Sequence, residues 1–102
     1  MSSDKFLSFL GLCRRAGKLT IGNDLVAQTM ANGESCLVLI ANDISQRTEK
    51  DITQSAQQNN VSIIRLSYTK EQLSNALGKL TAVISINDSG FAKKILQLTD
   101  NL

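Results

Sequence analysis

The 102-residue chain contains no histidine, no tryptophan and no proline. Without histidine, Ser-His-Asp and Cys-His nucleophilic catalysis and histidine-ligated zinc are excluded. Phe6, Phe9, Phe91 and Tyr68 are the only aromatic residues, so base stacking on an aromatic platform has few candidates. The two cysteines, Cys13 and Cys36, make neither a disulfide framework nor a CxxC metal site. Both fall on faces expected to be buried, where the thiol acts as a small hydrophobe. Long hydrophobic runs are missing as well. The longest, Cys36 to Ala41, is far too short to span a bilayer. The N-terminus lacks the sustained apolar stretch of a signal peptide and carries Asp4 where such a peptide wants positive charge. Neither a G-x-G-x-x-G turn nor a G-x-x-x-x-G-K-[ST] loop occurs, so the nucleotide fingerprints are absent. A reduced, cytoplasmic protein is the expectation.

What is present is the make-up of one globular domain over residues 1–102. Hydrophobic residues are 42% and charged residues 20% of the chain. A chain of this length buries roughly two-thirds of its unfolded surface, enough for one core without cross-links. Phe6, Phe9, Leu10, Cys13 and Ala16 recur at helical spacing and predict a helix from Asp4 to Ala16, closed near Gly17. Leu19 to Ile21 is a short extended stretch. Gly22-Asn23-Asp24 reads as a helix start with Asn23 or Asp24 as N-cap; Leu25, Val26, Thr29 and Met30 are its apolar positions and Gly33 its end. Cys36 to Ala41 is apolar on both faces, as a central strand of a two-sided sheet requires. Residues 44–59 predict a surface helix with a thin stripe of Ile44, Ile52 and Ala56, and Val61 to Leu66 predicts a further strand. Thr69-Lys70-Glu71-Gln72 is a capping box opening a helix with Leu73, Ala76 and Leu77 inward and Gly78 at its C-cap. Leu80 to Ile86 predicts another strand. Asp88 or Ser89 then caps a last helix that buries Phe91, Ala92, Ile95 and Leu96. This alternation implies an α/β fold, a three-layer α/β/α sandwich whose sheet has about four strands.

Positive charge informs by place rather than amount. Eleven Lys and Arg against nine Asp and Glu give +2, which permits nucleic-acid binding without pointing to it. Arg14, Arg15 and Lys18 gather where the first helix ends, beside the Gly22 helix start, and Lys79 follows the Gly78 turn. Two readings stay open. The cations complement the dipole of a helix C-terminus, or they flank a phosphate site. A glycine opening a helix lets backbone approach a phosphate, and the helix N-terminus offers free N–H donors. Asp43, at the C-terminal end of a strand, is the one acid in a favoured active-site position for an open α/β sheet. It reads equally as a helix cap with Gln46 three residues on.

Four blocks carry a resemblance. Arg15 to Gly22 reads R-A-G-K-L-x-x-G and Leu37 to Asp43 reads L-V-x-I-A-x-D, while Leu73-Ser74-Asn75-Ala76-Leu77-Gly78 is similar to L-G-x-A-x-G and Asn87-Asp88-Ser89-Gly90-Phe91-Ala92 to T-D-x-G-F-A. In this order they resemble the ribosomal protein L7Ae/L30e family, whose members bind kink-turn RNA; the last block resembles its bacterial YlxQ-type branch. The resemblance implies a mixed four-stranded sheet with at least one antiparallel neighbour. It also implies that RNA is held by three adjoining loops at one end. These map to Gly22-Asn23-Asp24 and on to Gln28, to Ile40–Ile44 with Asn42 and Asp43, and to Gly78-Lys79-Leu80-Thr81. Lys18 and Lys79 would then meet phosphates, and Leu80 would cover an extruded base. Kink-turn binders carry G-T-N-E-x-x-K at the helix start. Here Asn23, Asp24, Leu25 and Gln28 stand at the Thr, Asn, Glu and Lys positions, and Ser74 replaces a common Gly. Asp24 cannot donate the amide hydrogen bonds of an Asn, and Leu25 has no polar group to offer a guanine edge.

The expected function is therefore non-enzymatic binding of structured, kink-turn-like RNA that departs from the consensus motif. Ribosomal RNA, the ribosome or translation factors are the expected partners, with no cofactor, no metal and no membrane. The alternative is a protein–protein module on the same fold that has lost kink-turn recognition and docks through an apolar patch of Leu25 and Leu80. A small nucleotide-handling enzyme is the third reading, against which the missing phosphate loops stand.

Overall fold

Residues 37–41 are apolar at every position, and a strand of that kind is stable only with a helical layer on each face. A computed structural model describes residues 4–100 and shows this arrangement. Among the described residues the elements run α1 (Lys5–Arg15), β1 (Leu19–Ile21), α2 (Asn23–Ala31), β2 (Leu37–Ile40), α3 (Gln46–Gln58), β3 (Ile63–Arg65), α4 (Lys70–Leu77), β4 (Val83–Ile86) and α5 (Ser89–Asp100). The sheet order is β1-β4-β2-β3. β4 is antiparallel to both β1 and β2, whereas β2 and β3 are parallel, so the sheet is mixed as expected.

Alternation along the strands sorts the core into two layers. Leu37, Leu39, Ile84, Ile86 and Ile21 point to the side covered by α1, α4 and α5, where Phe6, Leu10, Leu73, Leu77 and Ile95 meet them. Val38, Ile40 and Val83 point the other way, onto Val26 and Met30 of α2 and Ile52 and Ala56 of α3. Each such side chain, once fully buried, contributes roughly 1.5–3 kcal/mol. Ser85 is the polar exception in β4, fully buried on the second face. Its hydroxyl donates to Asn87 Oδ1 at 2.6 Å and lies 2.7 Å from the Ser35 hydroxyl, while Asn87 Nδ2 donates to Thr20 Oγ1 at 2.8 Å. The buried hydroxyl is thereby satisfied at the end of the sheet where β4 stops.

Several expectations need correction. The N-cap of α2 is Gly22, not Asn23 or Asp24, and no side chain caps that helix. Leu25 lies outside the buried stripe of α2, 51% exposed. Ala16 is the exposed C-cap of α1, Ala76 is exposed on α4, and Leu96 is 43% exposed on α5. The last strand starts at Val83, and Leu80 belongs to the preceding loop. Cys13 is buried as expected, but Cys36 precedes β2 and is exposed. The capping box at Thr69 and Gln72, the left-handed Gly78 and the Asp88 cap on Phe91 are present as read.

Candidate functional site

Strand direction decides which loops can meet. Because β4 runs against β1 and β2, and β3 runs with β2, the C-terminal ends of β1, β2 and β3 share one pole with the start of β4. The first residues of β4 join the loops there. The Gly22 amide donates to the Val83 carbonyl at 3.1 Å, and the Ala41 amide donates to the Ala82 carbonyl at 2.9 Å. The three segments singled out in the sequence therefore lie side by side: the start of α2, the β2–α3 turn, and the Gly78–Thr81 loop.

The first segment is shaped by Gly22, at φ 110° and ψ 147°, a conformation essentially confined to glycine. A Cβ there would meet nothing within 4 Å, so this stretch of backbone faces open space. With no side chain capping α2, its first-turn amides stay available at the positive end of the helix. Asn23, Asp24 and Leu25 are exposed around them, and Gln28 is exposed one turn on.

The second segment is held by the β3–α4 connection. The Asn42 amide donates to the Tyr68 carbonyl at 2.8 Å, and Arg65 Nη1 donates to the Asn42 carbonyl at 2.7 Å. The other arm of Arg65 pairs with Glu49. Asp43 is a helix cap, but not of the helix that follows it. Its Oδ1 accepts from the Lys70 amide at 2.8 Å, in the first turn of α4, while Ser45 caps α3 through the Thr48 amide at 3.2 Å. This bond crosses the end of the sheet, because α3 and α4 lie on opposite faces.

The third segment follows α4. Gly78 closes the helix at φ 72°, and Thr81 returns the chain to its side, fully buried, with its amide donating to Ser74 Oγ at 3.0 Å. Lys79 is exposed, and Leu80 is 83% exposed, the highest value among the exposed large hydrophobic residues.

The basic cluster read near the end of α1 is divided. Arg14 does reach this pole: its guanidinium donates to the Leu77 carbonyl and lies beside Gly78. Arg15 folds back along α1 toward Gly11. Lys18 lies at the start of β1, where its carbonyl accepts from the Asn87 amide, so the length of the strand, about 13 Å, separates it from Gly22. Arg47, Arg65 and Lys70 were not singled out, yet they stand at the pole. Arg47 and Lys70 occupy first turns of α3 and α4, where a cation opposes the helix dipole. That unfavourable placement was the signal in the sequence. Against these cations stand Asp24 and Glu71, together with Asp43, which accepts from the Lys70 backbone amide, and Glu49, which pairs with Arg65. Three helix N-termini, of α2, α3 and α4, add their positive ends to the same surface.

Tyr68 supports the pole from behind. It stacks on Phe6 with ring centroids 5.3 Å apart and donates to Asp4 Oδ2 at 2.6 Å. Burial, reinforced by the Asp4 carboxylate, pushes its hydroxyl up to about 12. Burial works against the Asp4 carboxylate, but hydrogen bonds from Tyr68, Leu7 and Phe6 outweigh it and hold the group below its ordinary value. Burial pushes the Cys13 thiol up, away from the reactive thiolate. Among the described residues no group of His, Cys, Asp and Glu is placed to hold a metal ion, and no helix is long and apolar enough to cross a membrane.

Three loops thus adjoin at the strand ends of a mixed α/β/α sandwich, with Arg14, Arg47, Arg65, Lys70 and Lys79 set against Asp24, Asp43, Glu49 and Glu71. The chain belongs to the ribosomal protein L7Ae/L30e/S12e/Gadd45 family, which its residues 4–96 match. It is 33% identical over 101 residues to the RNA-binding protein YlxQ of Bacillus subtilis (strain 168), covering 98% of this chain and all of that one. It is 32% identical over 96 residues to the RNA-binding protein YlxQ of Enterococcus faecium, covering 94% and 92% of the two chains. Among solved structures it is similar to a Bacillus halodurans C protein described as of unknown function, with a TM-score of 0.88, 30% identity, and 96% and 99% coverage. The 15.5kD RNA binding protein of Giardia lamblia shares the fold at a TM-score of 0.72 and 15% identity, with 99% and 90% coverage.

Proposed function

We propose that this protein is a non-enzymatic RNA-binding protein that takes structured, kink-turn-like RNA on the pole built by Gly22–Gln28, Asn42–Asp43 and Gly78–Thr81, in the cytoplasm and in association with the ribosome or translation factors. One observation carries the reading. The uncapped start of α2 lies beside two anchored loops, on a chain one-third identical to proteins named for RNA binding. Chemically, the α2 amides donate to phosphate or base acceptors, and Asn23, Asn42 and Gln28 supply polar contacts to base edges. Lys79, Arg47 and Lys70 form a modest basic rim, and Leu80 covers an unstacked base. Asp24 can only accept, which directs it to donor groups on bases rather than to phosphates. Lys18 and Arg15, away from the pole, contribute through the general field.

The test is filter binding of the purified protein to fragmented bacterial ribosomal RNA, to a synthetic kink-turn hairpin and to poly(U) at low salt. Retention of the structured RNAs over poly(U), weakening as salt rises, is the expected result. Equal indifference to all three overturns the reading. The second reading, a protein-docking module, is favoured by the exposure of Leu25 and Leu80 at this pole. A stoichiometric partner that survives nuclease treatment, with no RNA retention, would establish it.

A further inference from the structure

The Gly78–Thr81 loop combines two properties that folding alone does not require together. Its backbone is anchored at several points, and its two central side chains are left in water. Ser74 is the hub. Its Oγ donates to the Lys70 carbonyl at 2.6 Å and accepts from the Thr81 amide at 3.0 Å, so one hydroxyl ties α4 to the far end of the loop. Thr81, fully buried, turns its own Oγ1 onto the Lys79 carbonyl at 2.5 Å. From the other side Arg14 donates to the Leu77 carbonyl, one of the last carbonyls of α4 left without a helical partner. Between these anchors Lys79 and Leu80 project outward, and the Lys79 side chain has no partner among the described residues.

We infer that Arg14, Ser74 and Thr81 form a brace that holds the loop in its binding conformation before RNA arrives, so that Arg14 and Ser74 are positioning residues rather than RNA contacts. This deepens the RNA-binding reading above and rests on it. A loop already fixed does not lose conformational entropy on binding, and that saving appears as affinity. Arg14 was expected among the phosphate-contacting cations. Its guanidinium instead serves a backbone carbonyl of the protein, and Lys79 is the loop's phosphate-facing charge.

The brace predicts a pattern that neither a direct contact nor general stability would give. Ser74→Ala removes the acceptor of the Thr81 amide and should weaken retention of fragmented ribosomal RNA about tenfold, a loss of ~1.4 kcal/mol. Its salt slope should be unchanged, since no phosphate contact is lost. Thr81 amide hydrogen exchange should quicken under conditions in which the rest of the chain stays folded. Ser74→Thr, which keeps the hydroxyl, should restore both. Arg14→Gln should weaken binding with an unchanged slope, whereas Lys79→Ala should lower the slope by about one. The inference is overturned if Ser74→Ala binds as wild type, if Ser74→Thr fails to rescue, or if Arg14→Gln lowers the slope as Lys79→Ala does. Failure of the wild-type protein to bind any RNA overturns the parent reading and this one together, and is told apart by that control.

Discussion

The Tyr68 hydroxyl donates to Asp4 Oδ2 at 2.6 Å across 64 positions of sequence, joining the N-cap of α1 to the connection that enters α4. Tyr68 is the chain's single tyrosine and there is no tryptophan, so its ionisation can be followed by tyrosinate absorbance alone. The folded value, about 12, lies above the ordinary 10.0. Stability linked to the protonated hydroxyl is therefore complete below pH 10 and lost as the pH rises from 10 to about 12. For Asp4 the sign is reversed: its folded value is lowered from 3.8, so its contribution is present above that pH and lost as acid titrates the group. The tyrosinate midpoint should fall in Asp4→Asn. Denaturant melts should show that variant losing less stability than wild type between neutral and acid pH.

Gly22→Ala should destabilise the protein although there is room for the methyl group. The obstacle is the backbone at φ 110°, not a clash. A cost of about 1–3 kcal/mol is expected, read from chemical denaturation.

Asp43→Ala should cost about 1 kcal/mol, as the loss of a helix cap does. The affected helix should be α4 rather than the α3 that follows in sequence. Hydrogen exchange at the Lys70 amide, whose acceptor is removed, is the measurement that separates the two.

Leu80→Ala should leave stability within about 0.5 kcal/mol of wild type, because the side chain is 83% exposed. Retention of structured RNA should nonetheless fall, in filter binding set beside a thermal melt. Loss of stability without loss of binding would remove Leu80 from the proposed surface.

Arg47→Ala and Lys70→Ala should each lower the slope of log affinity against log salt by about one, as Lys79→Ala should, whereas Lys18→Ala should leave it nearly unchanged. The comparison tests the division of the basic residues between the two ends of β1.

Much of the sandwich was legible because its signals are local or periodic. The all-apolar Leu37–Ala41 run, the Thr69–Gln72 capping box and the glycine closing α4 each carry their meaning within a few residues. The exceptions were positions where a distant element decides. Leu25 sits four residues before the buried Thr29, at helical spacing, yet the part of the face it occupies is left uncovered. Asp43 has Gln46 at capping-box spacing, yet the amide it serves is that of Lys70. The three segments of the site were named by resemblance; their adjacency depends on β4 running against β1 and β2, which no stretch of sequence announces. Arg14 and Arg15 are consecutive in α1 and so leave the helix in different directions, one to the Leu77 carbonyl and the other back toward Gly11, while the turn at Gly17 sets Lys18 apart at the strand start.

The buried hydroxyl of Ser85 bears on all of this from the opposite end. A one-residue slip of β4 would carry Ser85 into the leucine-lined layer and push Ile84 or Ile86 among Thr20, Ser35 and Asn87, so misalignment is penalised on both faces at once. Since the start of α2 and the β2–α3 turn both hang from Val83 and Ala82, a register that Ser85 helps to hold carries through to the opposite surface, like a tuning peg at the far end of a string. The exposed loop side chains can then be exchanged for others, and new recognition acquired, while the frame that spaces them stays constant.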